Sequence, residues 1–152
     1  MNIIACRICF AAALLAVALS ACSDRKTAPS ATQWLPPSGD VMRGNVAAGG
    51  IPTSYAAYFD QDHLGRIIET RKPADSSNAT GDYVFTEARL IQYKGTALRS
   101  DAAIELTFDL HGVLTAATPG IDSQEIAAVR TRAQLLRSLA LARHASQTHE
   151  TH

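Results

Sequence analysis

Two histidines lie in segments of similar pattern, each with an aspartate before it and a glycine after it. Asp60 precedes His63, and Asp109 precedes His111. Imidazole and carboxylate groups are common metal ligands, so two such turns at the same end of a sheet could form a metal site. Two histidines without fixed spacing are nevertheless a weak metal motif. We predict no bound metal and no cofactor, and we keep His63 and His111 as candidate binding residues.

The first of these segments also has part of the spacing of a calcium loop. Asp60, Asp62 and Gly65 match positions 1, 3 and 6 of such a loop. Leu64 and Arg71 occupy positions 5 and 12, where ligands are needed. A hairpin turn accounts for the same residues without a cation. We therefore predict a turn here.

Arginines border the apolar stripe of a predicted C-terminal helix. Arg130 and Arg137 lie on one border, and Arg132 and Arg143 lie on the other. The ordinary interpretation is that their aliphatic stems cover the helix edges while the guanidinium groups stay in water. The alternative is a helix that faces anionic lipid or another polyanion. Arg130 and Arg137 are kept as candidate binding residues.

No familiar catalytic motif occurs in the sequence. It has no nucleophile elbow, phosphate-binding glycine loop or HExxH helix, and nothing after the predicted leader resembles a catalytic Cys-His pair. Serines are plentiful, but no base is placed to activate them. We therefore predict that the protein is not an enzyme.

The three cysteines are all near the amino terminus, and Cys22 has the most informative surroundings. It follows the apolar run Phe10–Leu19, which fits a secretory signal and is shorter than the ~20 residues that span a bilayer. Leu19-Ser20-Ala21-Cys22 resembles the lipobox of bacterial lipoproteins. The resemblance implies cleavage between Ala21 and Cys22, acylation of Cys22 with palmitate-like chains, and attachment to membrane lipid.

The alternative is an ordinary signal peptide that leaves Cys22 as a free thiol. Cys6 and Cys9 would be removed with the signal, so Cys22 would have no intramolecular disulfide partner. An unpaired thiol is unusual in an oxidising periplasm, which favours acylation. We expect a lipid-anchored protein of the bacterial cell envelope. In lipoproteins of enteric bacteria, an aspartate directly after the lipidated cysteine would indicate retention in the inner membrane. Ser23 stands at that position here, so we expect the outer membrane.

The net charge of the chain argues against nucleic acid as a partner. The chain has 14 basic and 14 acidic residues and a formal net charge of zero. No overall basic field favours nucleic acid. We expect two partners, membrane lipid through acylated Cys22 and an envelope protein, and no nucleic acid.

The residues after Cys22 differ in composition from the rest of the chain. Up to position 53, small and polar residues dominate, interrupted by Pro36-Pro37 and Gly49-Gly50. Such a stretch buries too little apolar surface to offset its ordering entropy. We predict a flexible tether over residues 22–53.

Alternating and aromatic patterns predict strands from Tyr55 onward. The predicted strands are 55–59, 66–71, 83–93, 104–110 and 113–117, with a bend at 87–89 and a loop over 72–81. The clearest alternation is in Ile104–Leu110. A helix follows, for which Asp122 is the predicted N-cap, Glu125 its capping-box partner, and Ile121 and Ile126 a hydrophobic staple. Its apolar stripe is Ile126, Val129, Ala133, Leu136 and Ala140.

Strands that precede a single helix predict an α+β fold, a small meandering antiparallel sheet with the C-terminal α-helix packed on one face. A small closed barrel with the helix at its mouth is the alternative. The predicted organisation is a lipoprotein signal peptide (1–21), lipidated cysteine and disordered tether (22–53), α+β domain (54–146) and frayed tail (147–152).

Segments 87–95, 106–112 and 132–137 resemble those of small uncharacterised lipoproteins of Gram-negative bacteria, which implies no known activity. The membrane-bound lysozyme inhibitors also pair a lipobox with a small antiparallel β domain. We expect a lipid-anchored envelope lipoprotein that acts by binding in envelope assembly or maintenance. The alternatives are an inhibitor of a wall hydrolase such as lysozyme and a metal-dependent hydrolase centred on His63 and His111.

Overall fold

A computed structural model describes residues 39–74 and 77–150 of the chain. The elements are β1 Asp40–Ala48, β2 Ile51–Asp60, β3 His63–Arg71, β4 Ala79–Thr86, β5 Arg89–Thr96, β6 Ala103–Phe108, β7 Leu114–Ala117 and α1 Ser123–Glu150. Among the described residues, no helix combines the length and hydropathy needed to cross a bilayer.

The sheet is a seven-stranded meander in which every strand pairs antiparallel with the next strand along the chain. The connections therefore alternate between its two ends. One end carries the turns at 61–62, 87–88 and 109–113, and we call it the three-turn end. The α+β class is confirmed. The barrel alternative is wrong, because β1 and β7 are the two edges of an open sheet.

The core lies between one face of the sheet and α1. Phe59, Tyr83 and Tyr93 are fully buried on the sheet side. On the helix side, four residues of the predicted stripe are at most 1 % exposed, namely Val129, Ala133, Leu136 and Ala140. The three- and four-residue spacing thus correctly predicts the buried face of the helix.

Regular structure begins earlier than the sequence pattern predicts. β1 starts at Asp40 and β2 at Ile51, so the predicted tether boundary at residue 53 is wrong. Gly44 occupies an inward position of β1 opposite Tyr55, whose ring fills the space that a Cβ at residue 44 would need. A glycine where alternation calls for an apolar side chain conceals the strand. The predicted signal peptide, with Ala21 and Cys22, lies outside the described residues.

The single strand predicted over 83–93 is two strands, β4 and β5, joined by a tight turn. Glu87 and Ala88 form this turn with φ angles of 49° and 67°. Positive φ at both central residues suits the twist of a two-residue hairpin, but such turns favour Asn-Gly or Asp-Gly. Glu-Ala lacks that signal, which is why the sequence indicates only a bend.

The start of α1 is capped as predicted, but Glu125 has another role. Glu125 N donates to Asp122 Oδ1 at 2.7 Å, which confirms Asp122 as the N-cap. The Glu125 carboxylate does not close a capping box; it accepts from Leu98 N and Arg99 N at 2.5 and 3.1 Å and so ties the β5–β6 loop to the helix. The helix continues to Glu150, into the range 147–152 that the sequence predicts to be a frayed tail.

Candidate anion-binding cleft

Three basic side chains recur at seven-residue spacing on the side of α1 that faces the three-turn end. Seven residues make almost two helical turns, so Arg130, Arg137 and His144 project from one side of the helix. Arg130 contacts the β6–β7 turn, and His144 contacts the β2–β3 turn. Arg137 lies between them in the chain and lines the same cleft as Ala88 of the β4–β5 turn. The helix therefore crosses the strands with one basic group beside each turn.

A cleft of about 370 Å³ opens between α1, the β4–β5 turn and the β6–β7 turn. Its polar lining consists of Arg89, His111, Arg130, Gln134 and Arg137. Its apolar floor includes Phe85, Leu90, Phe108 and Ala133. Three of the four predicted binding residues, His111, Arg130 and Arg137, are thus brought together, and the sequence reasoning missed Arg89.

Two of the cleft arginines are held by the β6–β7 turn. Arg89 Nη1 donates to the carbonyl oxygen of Leu110. Arg130 Nη2 donates to the carbonyl oxygen of Gly112 at 2.7 Å, and its Cζ lies 4.8 Å from the centroid of the Phe108 ring. These contacts fix the two guanidinium groups, but neutral carbonyls and a ring leave the positive charges uncancelled.

The β6–β7 turn is itself held by the carboxylate of Asp109. Asp109 Oδ1 accepts from the backbone N–H groups of His111 and Val113, both at 2.8 Å. Gly112 takes a φ of +79°, which is accessible to glycine at no steric cost. The hydrogen bond from Val113, followed by those from His111 and Gly112, lowers the pKa of Asp109. The turn therefore positions His111 and the carbonyl that holds Arg130.

No carboxylate within the described residues lies at ion-pair distance from Arg89, Arg130 or Arg137. Asp109 is the nearest acidic group in the turn, and its Oδ1 is occupied by backbone donors. Guanidinium groups stay charged at any physiological pH. The cleft thus holds three guanidinium groups that make no ion pair with any described acidic side chain.

His63, the fourth predicted binding residue, lies away from the cleft. It is exposed at the start of β3, and two strands separate β3 from β6. Three strand spacings of ~4.8 Å put His63 on the order of 14 Å from the β6 side, too far to share an ion with His111. Among the described residues, no three His, Cys, Asp or Glu side chains stand close enough to hold a metal ion.

A third histidine, His144 of α1, lies beside the β2–β3 turn. Its ring stacks on Phe59 with centroids 4.2 Å apart and planes inclined by 12°. Its Nε2 lies 3.3 Å from Asp62 Oδ1. These contacts pack the last turns of α1 against the sheet.

A second polar cluster lies under the opposite flank of α1, around Glu69. The Glu69 side chain is fully buried, and its Oε1 accepts from Tyr83 Oη at 2.6 Å. Arg132 Nε donates to Glu69 Oε2 at 3.0 Å, and Arg132 Nη2 donates to Thr53 Oγ1 at 2.8 Å. Burial, followed by the neighbouring Glu69 charge, raises the pKa of Tyr83 well above its ordinary value. The cluster links the helix to β2, β3 and β4.

Arg71 completes this buried cluster. Its Nη2 donates to the carbonyl of Thr96 at 2.6 Å. Its buried Nε lies 3.4 Å from Glu69 Oε1 but makes no hydrogen bond. One carboxylate therefore lies between two guanidinium groups, those of Arg71 and Arg132.

The solvent-facing interpretation of Arg132 is wrong, because only 10 % of its side chain is exposed. Arg143, on the same predicted border, is exposed as expected. A signal for the cluster was present in β3, where alternation from Ile67 places Glu69 and Arg71 on the core face. Gly81 faces Glu69 across the sheet, and a Cβ there would lie 2.9 Å from Glu69 Oε1. The sheet thus leaves room for a buried charge.

The lining of the cleft is rich in hydrogen-bond donors. It offers guanidinium, imidazole, amide and backbone groups, and it includes no Ser, Thr, Cys, Asp or Glu. Such a set donates hydrogen bonds to an oxyanion but supplies no hydroxyl, thiol or carboxylate nucleophile. Comparisons of the chain with protein-family models, curated proteins and solved structures found no match.

Proposed function

We propose that this protein is a lipid-anchored lipoprotein of the bacterial cell envelope that acts by binding, in envelope assembly or maintenance. The observation that carries the proposal is Leu19-Ser20-Ala21-Cys22 at the end of a short apolar run. Cys22 is also the one cysteine that remains after cleavage at that site. Acylation would account for a cysteine that has no disulfide partner within the processed chain.

The cleft supports binding as the mode of action. Its charge is positive and its floor apolar, a combination typical of ligand sites in which a few polar groups orient the ligand. Arg89 and Arg130 are held in place before any ligand arrives, which lowers the entropy cost of binding. These features favour a receptor or adaptor over a hydrolase.

The anchor and the folded part are separated by the chain between Cys22 and Asp40. The sequence predicts a flexible tether there, and a tether of that length has a typical reach of about 25 Å. An acylated Cys22 would therefore keep the cleft close to the membrane surface. A membrane-bound or membrane-proximal partner fits that location best.

Mass spectrometry of the protein purified from its membranes tests the anchor. We expect an amino-terminal peptide that begins at Cys22 and carries acyl chains. In the Cys22→Ser variant, acylation and cleavage should be lost. The matched control is Cys9→Ser, which changes a cysteine within the signal and should leave acylation intact. Unacylated Cys22 in the wild-type protein would overturn the lipoprotein assignment.

Binding and catalysis make different predictions for the full-length protein. Crosslinking in intact envelopes should recover a reproducible partner, and Arg137→Gln should reduce its yield while Arg143→Gln should not. A wall-hydrolase inhibitor would instead slow lysozyme at equimolar amounts. Turnover of a small-molecule substrate by the purified protein would exclude a pure binding role.

A further inference from the structure

We infer that the cleft between α1 and the β4–β5 and β6–β7 turns binds a phosphate monoester group. The juxtaposition that carries this inference is Arg89, Arg130 and Arg137 around one apolar-floored cavity. It deepens the proposed binding function and rests on that part of the proposal, but it does not depend on acylation of Cys22.

Charge points to a doubly charged oxyanion. Three guanidinium groups line the cleft, and no described carboxylate pairs with any of them. A phosphate monoester carries about −1.5 to −2 charges at neutral pH and three acceptor oxygens. A carboxylate carries one charge and two oxygens. Phosphate therefore matches the number of donors and the charge of the cleft better.

Donor geometry points the same way. Arg130 Nη2 donates a hydrogen bond to the carbonyl of Gly112, and Arg89 Nη1 donates one to the carbonyl of Leu110. A guanidinium has five N–H donors, so each arginine keeps others for a ligand. Planar guanidinium groups bind phosphate oxygens in pairs, which gives orientation as well as affinity. Arg137, half-buried and without an ion pair in the described part of the chain, can complete the set.

The surroundings indicate that the phosphate is attached to an apolar group. Phe85 and Phe108 lie on the floor beneath the arginines. Leu110 and Val113, in the turn beside the cleft, are 48 % and 59 % exposed. Phe85 and Phe108 are themselves only 2 % and 5 % exposed, so the exposed apolar surface is that of Leu110 and Val113. A free inorganic phosphate would not use it, whereas the ring of an aryl phosphate or the acyl chains of a phosphatidic acid would contact it. The shared chemistry is a phosphate monoester next to an apolar body.

Calorimetric titration of the full-length protein in a non-ionic detergent tests the inference. The probes are phenyl phosphate, a soluble monoester, and dihexanoylphosphatidic acid, a lipid monoester in the same micelles. Benzoate is the singly charged comparison. We expect one site per chain and weaker binding of benzoate. Binding of the lipid alone assigns a lipid headgroup, and binding of both monoesters assigns the phosphate group itself.

Arg137→Gln removes one charged donor and should weaken monoester binding about tenfold or more. Arg143→Gln removes the same charge from the same helix outside this cleft, and it should change the affinity by less than about twofold. Urea unfolding shows whether each variant keeps its fold, and Arg89→Gln is the second cleft variant. Three results overturn the inference: no binding of either monoester, equal binding of benzoate, or equal losses in Arg137→Gln and Arg143→Gln. Because none of these results depends on acyl chains, they are distinguishable from failure of the anchor.

Discussion

The arginines on the two flanks of α1 differ in whether a carboxylate of the same chain pairs with their charge. On one flank, Arg132 is buried and its charge is met by Glu69 at 3.0 Å. On the other flank, Arg130 is held by a carbonyl and an aromatic ring, and Arg137 lies half-buried beside it. A charge that the chain cancels internally helps to fix how the helix sits on the sheet. A charge that it leaves uncancelled is available to another molecule.

The largest expected effect is that of Glu69→Gln. It leaves Arg71 and Arg132 buried next to an uncharged amide, and breaking a buried ion pair in this way costs about 3–5 kcal/mol. Urea denaturation, monitored by circular dichroism, gives the free energy of unfolding. The control is Glu105→Gln, which removes an exposed partner 3.8 Å from Lys94 and should cost less than about 1 kcal/mol. Similar losses in the two variants would remove the distinction between the flanks.

Arg132→Met should be the next most destabilising change. It keeps much of the apolar stem but removes the hydrogen bonds to Glu69 and Thr53, for a loss of about 2 kcal/mol. The loss is smaller than for Glu69→Gln because Glu69 keeps Tyr83 as a donor. A double-mutant cycle measures the coupling between positions 69 and 132. Additive losses would show that the pair is not coupled.

Arg137→Gln should leave the stability almost unchanged, within about 0.5 kcal/mol, because Arg137 has no described ion pair to lose. Removal of one of several like charges should stabilise the protein slightly at low salt, and added sodium chloride should remove that gain. Thermal unfolding at two salt concentrations measures both effects. A loss as large as that of Arg132→Met would mean that Arg137 serves the fold instead of the cleft.

The smallest effect concerns the β6–β7 turn, which holds Arg89 and Arg130. The pKa of Asp109 is lowered because its ionised form accepts from backbone N–H groups, first that of Val113. The stabilisation is therefore present above the ordinary aspartate pKa of about 4 and is lost as the pH falls through the lower folded value. The Val113 amide shift in an NMR pH titration should follow this change with a midpoint lower than that of an unperturbed aspartate. In Asp109→Asn, that transition should disappear.

The fold class could be predicted because its strongest signals are local. Alternation over Ile104–Phe108 gives β6, and the residues from Asp122 onward give the start of α1. β1 could not be predicted, because Gly44 interrupts its apolar alternation. The Tyr55 ring on the next strand fills the space where a side chain at residue 44 would point. The Glu87-Ala88 turn was missed because its conformation is imposed by the strands that it joins.

The candidate cleft was predictable only in part. The helix borders indicated Arg130 and Arg137, and the turn pattern indicated His111. Arg89 belongs to the same cleft because strand pairing brings the β4–β5 turn beside α1, and no spacing along the chain encodes that. For the buried cluster, alternation in β3 was a signal for Glu69, whereas Arg132 looks like a surface residue until the rotation of the helix places it beside Glu69.

The meander has a consequence for the order of folding. Every strand pairs with its neighbour along the chain, so the sheet can form from local contacts, which close quickly. The polar contacts of longest range come from α1: Arg132 contacts Glu69 and Thr53 across 63 and 79 residues, and His144 contacts Asp62 across 82. Until α1 has been synthesised, one face of the sheet lacks its cover and Glu69 lacks its hydrogen-bond donor on the helix. A chain truncated before α1 should therefore be aggregation-prone and a substrate for quality-control proteases.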